Sequence, residues 1–113
     1  MKITIYNIEG EEIISGDYKS VKEAVEDNKS NLEGADLYRA DLGGSLLRHA
    51  DLRRADLEGA NLSGTRLGGA KLGDAILRYA GLEGANIEGA NIEGANLEGT
   101  TGSPKNLNKK PKL

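Results

Sequence analysis

The sequence predicts a solenoid, in which short phrases of chain stack so that each turn covers its neighbour. Three observations predict it. Leu or Ile recurs at every fifth residue without a slip, fourteen times from Leu32 through Leu37, Leu42 and so on to Ile87, Ile92 and Leu97. A small residue stands two places before each of them, from Ser30 and Ala35 through Ser45 and Thr65 to Ala95. Gly stands two places after nine of the fourteen, and Asn or Asp commonly fills the place just before, as at Asp36, Asp41, Asp51, Asp56, Asn86, Asn91 and Asn96. A period of five matches neither the 3.6 of a helix nor the 2 of a strand. In a phrase of small–polar–Leu–polar–Gly, two side chains turn inward and three meet water, and Gly permits the bend that ends the phrase. One phrase cannot bury its Leu alone, whereas stacked phrases can.

The composition agrees. The chain has 113 residues, enough for one small domain, with 37% apolar residues and no Trp or Phe, poor material for an ordinary core. There is no Cys, which excludes disulfides and thiol chemistry. No apolar run approaches the ~18–20 residues that cross a bilayer. Met1 leads into KITIYNI without a basic segment and an apolar core, so no signal peptide and a cytoplasmic location are expected. Charge is uneven along the chain: residues 1–30 carry a net −3, residues 31–99 a net −4, and the stretch from 100 onward +4 from four lysines.

Three segments follow. Residues 1–29 form a cap: KITIYNIEGEEIISGDY reads as two strands joined through Glu9-Gly10, a β-hairpin. SVKEAVEDNKS then has Ser20 and Glu23 at capping-box spacing and Val21, Ala24 and Val25 on one face of a short helix. An open β edge invites pairing with other chains, which gives such a cap its use. Residues 30–100 form the repeat region. Residues 101–113, with Pro104, Pro111 and no periodicity, are expected to be a flexible basic tail, leaving the last turn to be covered by that tail or by another copy.

The phrase is similar to the A(D/N)LXX repeat of the pentapeptide-repeat family, over residues 30 to 100. The resemblance implies a mainly β fold: a right-handed quadrilateral parallel β-helix with four phrases per turn, here about three and a half turns. Similar heads precede the repeats of some phage and bacterial members, so it also implies a phage or bacterial setting. At four phrases per turn, residues twenty apart stack on one face, which places Glu33 beside Arg53, Asp51 beside Lys71, and Glu58 beside Arg78 with Glu98 beyond.

Nothing in the chain reads as catalytic. There is one His, no Cys, and no G-x-S-x-G, H-E-x-x-H or P-loop motif, so no enzyme, no cofactor and no metal are expected. His49 reads as an exposed side chain, and Asp36, Asp41, Asp51 and Asp56 as residues that satisfy turn backbone groups rather than as metal ligands. The outward slots carry the information. Tyr38, Arg39, Ile76, Arg78 and Tyr79 would share one face, and Arg53 and Arg54 stand in the stretch LLRHADLRRADL, which breaks the glycine pattern. Tyr and Arg are enriched where partners bind, so Tyr38, Arg39, Arg53, Arg54, Arg78 and Tyr79 are candidate partner-binding residues, against the plainer reading of solvated decoration.

Glu83, Glu88, Glu93 and Glu98 fall one to a face on the last full turn and complete the candidate set. Some family members bind DNA-handling proteins, DNA gyrase among them, by imitating the duplex. A rod of ~17 Å, at ~4.8 Å per turn, would need ~10 negative charges to do so. The repeat region has a net −4, so any mimicry is confined to the final turn. The expectation is a protein-interaction module, in part a DNA mimic, that binds or inhibits a nucleic-acid-processing protein such as a topoisomerase or a host defence complex. The alternative is an assembly protein that self-associates through its uncapped C-terminal end. Direct nucleic-acid binding through Lys105, Lys109, Lys110 and Lys112 is opposed by the acidic body, and no membrane partner is expected.

Overall fold

The computed structural model describes residues 1–104. Strands β1 (Lys2–Tyr6) and β2 (Glu12–Asp17) pair antiparallel, with a register irregularity between Ile5 and Tyr6. Their connection turns on Asn7, whose side-chain oxygen accepts the N–H groups of Glu9 and Glu11, while Gly10 takes a φ of 86°. Helix α1 (Val21–Glu26) starts at Ser20, whose hydroxyl accepts the Glu23 N–H at 3.1 Å. Reciprocally, the Glu23 carboxylate accepts the N–H of Lys19, one residue earlier than a strict capping box would place it. Ala24 and Val25 are fully buried on the predicted face.

From residue 32 onward the chain is a parallel β-helix. Every bridge between turns joins residues twenty apart, from Asp36 with Asp56 to Gly81 with Thr101. Five residues per phrase and twenty per turn make four faces, and the register never slips between them. Each face is built from a repeated trio of bonds. The central residue and the residue two places on donate their N–H groups to the turn above, as Leu37 does to Asp56 and Arg39 to Glu58, both at 2.8 Å. The polar residue donates to the turn below, as Asp56 does to Ala35 at 2.9 Å. Corners close between the central residue's carbonyl and the small residue three ahead, as in Ala40 to Leu37 at 3.0 Å. Thr101 continues the ladder with bonds to Ala80 and from Leu82, so pairing runs one residue beyond the span assigned from the sequence.

The core is a column of leucines, with Leu32, Leu42, Leu47, Leu52, Leu57 and Leu62 at 0% exposure and the small residues filling the corners. Burial loosens upward: Leu82 is 7% exposed, Ile92 8% and Leu97 39%. The N-terminal end is closed by the head. The Tyr6 carbonyl accepts the Asp36 N–H at 2.8 Å, Ile8 donates to the Gly34 carbonyl at 2.7 Å, and Asn7 pairs antiparallel with Ala35. On another face the Glu26 carboxylate accepts the Leu46 N–H at 2.8 Å. These bonds satisfy backbone groups that a first turn would otherwise leave open. No helix among the described residues is long and apolar enough to cross a membrane.

Candidate functional site

From Asp36 onward the polar slot is structural wherever it holds Asp or Asn. The side-chain oxygens of Asp36, Asp41, Asp51 and Asp56 accept the N–H two residues on, and Asn61, Asn86, Asn91 and Asn96 do the same, at 2.9 to 3.3 Å. These Asx bonds fix the following residue's backbone, so the outward side chain one place after each Leu leaves a rigid base. Among the described residues no group of three or more His, Asp or Glu is placed to hold a metal ion.

Residue identity in the glycine slot matters more than the sequence suggested. All fourteen residues two places after the central one have positive φ, and the five that are not glycine are Arg39, His49, Arg54, Asp74 and Tyr79, at 56° to 62°. A left-handed conformation costs an L-residue about 1–2 kcal/mol that glycine does not incur. The reason four of them fit lies one turn higher. Arg39, His49, Asp74 and Tyr79 lean over Gly59, Gly69, Gly94 and Gly99, each twenty residues on, where a Cβ would crowd the Arg39 side chain and collide with the other three. The pairing of a non-glycine with a glycine twenty residues later was present in the sequence as a signal. Arg54 has Asp74 above it instead, and reaches the hairpin, where its Nη2 lies 3.3 Å from the Glu9 carboxylate.

Tyr38, Arg39, Ile76, Arg78 and Tyr79 do share one face. Tyr38 and Tyr79 are 54% and 55% exposed, while Ile76 is half-buried between Asp56 and Asn96 in the ladder. Arg78 stands between Glu58 and Glu98, with Nη1 4.0 Å from one carboxylate and Nε 3.1 Å from the other. The Nε–H makes no aligned hydrogen bond to Glu98, so that approach is coulombic. The guanidinium carbon lies 5.4 Å from the centre of the Tyr79 ring, within cation–π range. The Tyr79 hydroxyl first, then Glu98 and Glu58, hold the Arg78 guanidinium more firmly charged than usual. Tyr79 thus stands beside an arginine held by its neighbours, and Tyr38 lies two turns of ladder, about 10 Å, below that arginine in the same column.

Arg53 behaves otherwise. It grips Asp51 of its own phrase, Nε to Oδ1 at 2.8 Å and Nη2 to Oδ2 at 2.6 Å, and touches Glu33 at 3.3 Å. Asp51 and Lys71 are ladder partners as expected, but the Asp51 carboxylate pairs with Arg53, because residues two apart on one strand lie within side-chain reach on the same side. Lys71 acts on Asp51 only as a nearby charge; the Arg53 hydrogen bond is what chiefly holds the Asp51 carboxyl below its ordinary value, with burial opposing it. The charges of Arg53 and Arg54 are therefore engaged within the molecule, whereas Arg39 makes no ion pair among the described residues.

Glu83, Glu88, Glu93 and Glu98 are exposed on four different faces. Glu98 is drawn to Arg78, and the other three make no ion pair among the described residues. Above this ring the described residues leave the end of the leucine column uncovered. A hollow of about 270 Å³ enters it, walled by Leu82, Ile87, Ile92, Leu97 and the segment from Thr100 to Pro104. Counting by five from Leu97 explains it: the next central slot holds Gly102, which packs against the Glu83 backbone and contributes no side chain.

A profile of pentapeptide repeats matches residues 30–69 and 65–101, in eight copies. The chain belongs to the pentapeptide-repeat family. Solved pentapeptide-repeat proteins are similar to it over part of its length. One, from the thylakoid lumen of Arabidopsis thaliana, is 32% identical over 62% of this chain and 57% of its own, with a TM-score of 0.41. HetL of Nostoc sp. strain PCC 7120, involved in heterocyst differentiation regulation, is 36% identical over 57% of this chain and 39% of its own, with a TM-score of 0.30. Rfr23 of Cyanothece 51142 is 35% identical over 60% and 53%, with a TM-score of 0.26. The chain thus spans well under two thirds of the length of each. No curated protein matches it.

Proposed function

We propose that this pentapeptide-repeat protein is a non-catalytic protein-interaction module whose binding surface is the face of Tyr38, Arg39, Arg78 and Tyr79. The observation that carries the reading is Tyr79. It is more than half exposed, at a φ of 60° where nine sister phrases use glycine. A strained backbone that presents a large exposed side chain is explained more readily by what the side chain meets than by stability. Tyr and Arg together supply the amphipathic, low-entropy contact area typical of binding centres.

For the class of partner, the glutamate ring is the guide. Four carboxylates occupy one turn of ~4.8 Å, where duplex DNA carries ~3 charges. Below it Arg53, Arg66, Lys71 and Arg78 interrupt the run, so imitation of DNA is confined to the final turn. A protein with a basic groove beside an aromatic-binding surface, such as a nucleic-acid-processing enzyme, fits both features. End-to-end assembly through the C-terminal turns of two copies is the weaker reading, because it brings two glutamate rings together. The test is affinity capture from nuclease-treated bacterial lysate, wild type beside Tyr38→Ala/Tyr79→Gly and beside a variant with Lys at 83, 88, 93 and 98. Loss of one captured protein in the tyrosine variant supports the reading; equal capture by all three forms overturns it.

A further inference from the structure

The residue one place after each Leu donates its N–H to the Asp or Asn oxygen two residues back, and eight phrases from Asp36 onward do so. In five phrases the polar slot instead holds Leu46, Arg66, Lys71, Ile76 or Gly81, side chains with nothing to accept with. Two of the five stand apart. At Gly68 and Gly73 the donor itself lies on a glycine, so no side chain covers it, and a cation, Arg66 or Lys71, occupies the place of the missing acceptor.

The fold does not demand these two glycines. Neither has a positive φ. A Cβ at Gly68 would lie 3.5 Å from the Glu88 carbonyl oxygen and one at Gly73 3.7 Å from that of Glu93, ordinary contacts in both cases. Gly43 occupies the same slot and does have a packing reason, since its Cβ would lie 3.2 Å from Asn61 Nδ2; its N–H is also held by Asp41 at 3.3 Å.

The bare floor opens two hollows that meet at Gly69 and Gly89. One, of about 400 Å³, is bordered by Arg48, His49, Gly68 and Glu88. The other, of about 280 Å³, is bordered by Arg53, Lys71, Gly73 and Asn91. Arg53 is engaged with Asp51, whereas Arg48, Arg66 and Lys71 make no ion pair among the described residues. Backbone N–H donors beside cations favour an anion, and hydrogen bonds to an ionised acceptor are the strong kind.

We propose that Gly68 and Gly73 are a pair of seats for carboxylate side chains on a mixed-charge segment of a partner protein. Each carboxylate takes the part of the missing Asp or Asn oxygen: it accepts the glycine N–H beside Arg66 and Arg48 in one seat, and beside Lys71 in the other. Glu88 borders the first seat, and Glu93 stands one turn above the second. A nucleic acid, with about one charge per 1.7 Å of duplex, would press phosphates onto these glutamates, whereas a peptide can set Lys or Arg against them. The seats lie on the two faces flanking the corner at Gly69, away from the face of Tyr38 and Tyr79, and do not depend on its binding a partner.

The experiment is NMR on the full chain, titrated with a blocked peptide of alternating Lys and Asp, whose zero net charge removes bulk attraction. The Gly68 and Gly73 amides should shift saturably, and the Gly43 amide, which has its own acceptor, should not. Arg66→Asn/Lys71→Asn gives both seats an internal acceptor, as Asn86 and Asn91 do one turn above in the same columns. It should slow amide exchange at Gly68 and Gly73, leave exchange at Leu62 unchanged, and weaken peptide binding about tenfold. Should that variant not fold, Gly68→Glu/Gly73→Glu covers the seats as Glu88 and Glu93 cover the slots above, and should weaken binding as much. Shifts at Gly43 equal to those at Gly68 and Gly73, or an affinity unchanged in the variants, overturn the seats. So does an equal response to a peptide of alternating Lys and Asn, which lacks carboxylates. Tighter binding of a short DNA duplex at the same amides overturns the protein partner.

Discussion

Gly69→Ala tests the left-handed slot and the twenty-residue stacking together, with Gly64→Ala as its control. Both glycines have a φ of 67°, so alanine incurs the same backbone cost at each, about 1–2 kcal/mol. Their neighbours differ. A Cβ at Gly64 would meet nothing nearer than the Gly44 backbone at 4.0 Å, whereas one at Gly69 would lie 2.5 Å from His49 Nδ1. His49 is exposed and can swing aside, so the added cost is that of an unfavourable rotamer, roughly 0.5–1.5 kcal/mol. Gly69→Ala should thus be the more damaging by about that amount. In urea, with a slope of about 1–3 kcal/mol/M, the two midpoints should differ by a few tenths of a molar. Adding His49→Gly should bring Gly69→Ala to the level of Gly64→Ala, a coupling that a double-mutant cycle measures. Equal midpoints for the two alanine variants, or no coupling to His49, would refute the reasoning.

Three further outcomes follow from the same structure. Leu62→Ala, at a fully buried site in the column, should cost about 2–5 kcal/mol in urea unfolding. Ser45→Ala should leave stability unchanged or raise the unfolding midpoint, because its buried hydroxyl has no hydrogen-bond partner, whereas Thr65 donates to the Leu62 carbonyl at 2.7 Å. The Asp51 carboxyl is held below its ordinary value of 3.8, so its pair with Arg53 contributes stability that is present above that value and lost as pH falls through the lowered one. Asp51→Asn should therefore be less stable than wild type near neutrality and should lose less stability below about pH 4, read by thermal unfolding across pH.

The fold was legible because the inward slots are almost invariant: fourteen Leu or Ile in register leave one way to bury them. The Asp and Asn slot was legible for a similar reason, since an Asx bond needs only its own backbone two residues on. Outward side chains were harder to place. Twenty-residue stacking foretold Glu58 beside Arg78 and Glu33 beside Arg53, but not the tighter grip of Arg53 on Asp51 in its own phrase, a competition that spacing alone does not decide. The left-handed residues are not legible from a count of glycines, which speaks only to bends; the exceptions, Arg39, His49, Arg54, Asp74 and Tyr79, are the informative members. Gly102 in a leucine slot was visible too, and it makes the hollow. The predicted tail from Lys105 onward, with its four lysines, lies outside the described residues.

The central claim is that Tyr79 is kept for binding at some expense in backbone strain. Its most direct test is the affinity of Tyr79→Gly for the protein that the wild type captures, measured by titration calorimetry on samples matched for melting temperature. The account predicts at least a tenfold loss of affinity, the penalty of about 1.4 kcal/mol or more expected for a binding-centre tyrosine, in a protein that melts no lower than wild type by more than a few degrees. Undiminished affinity, or a variant that no longer folds, would contradict it and return Tyr79 to the structural part of the molecule.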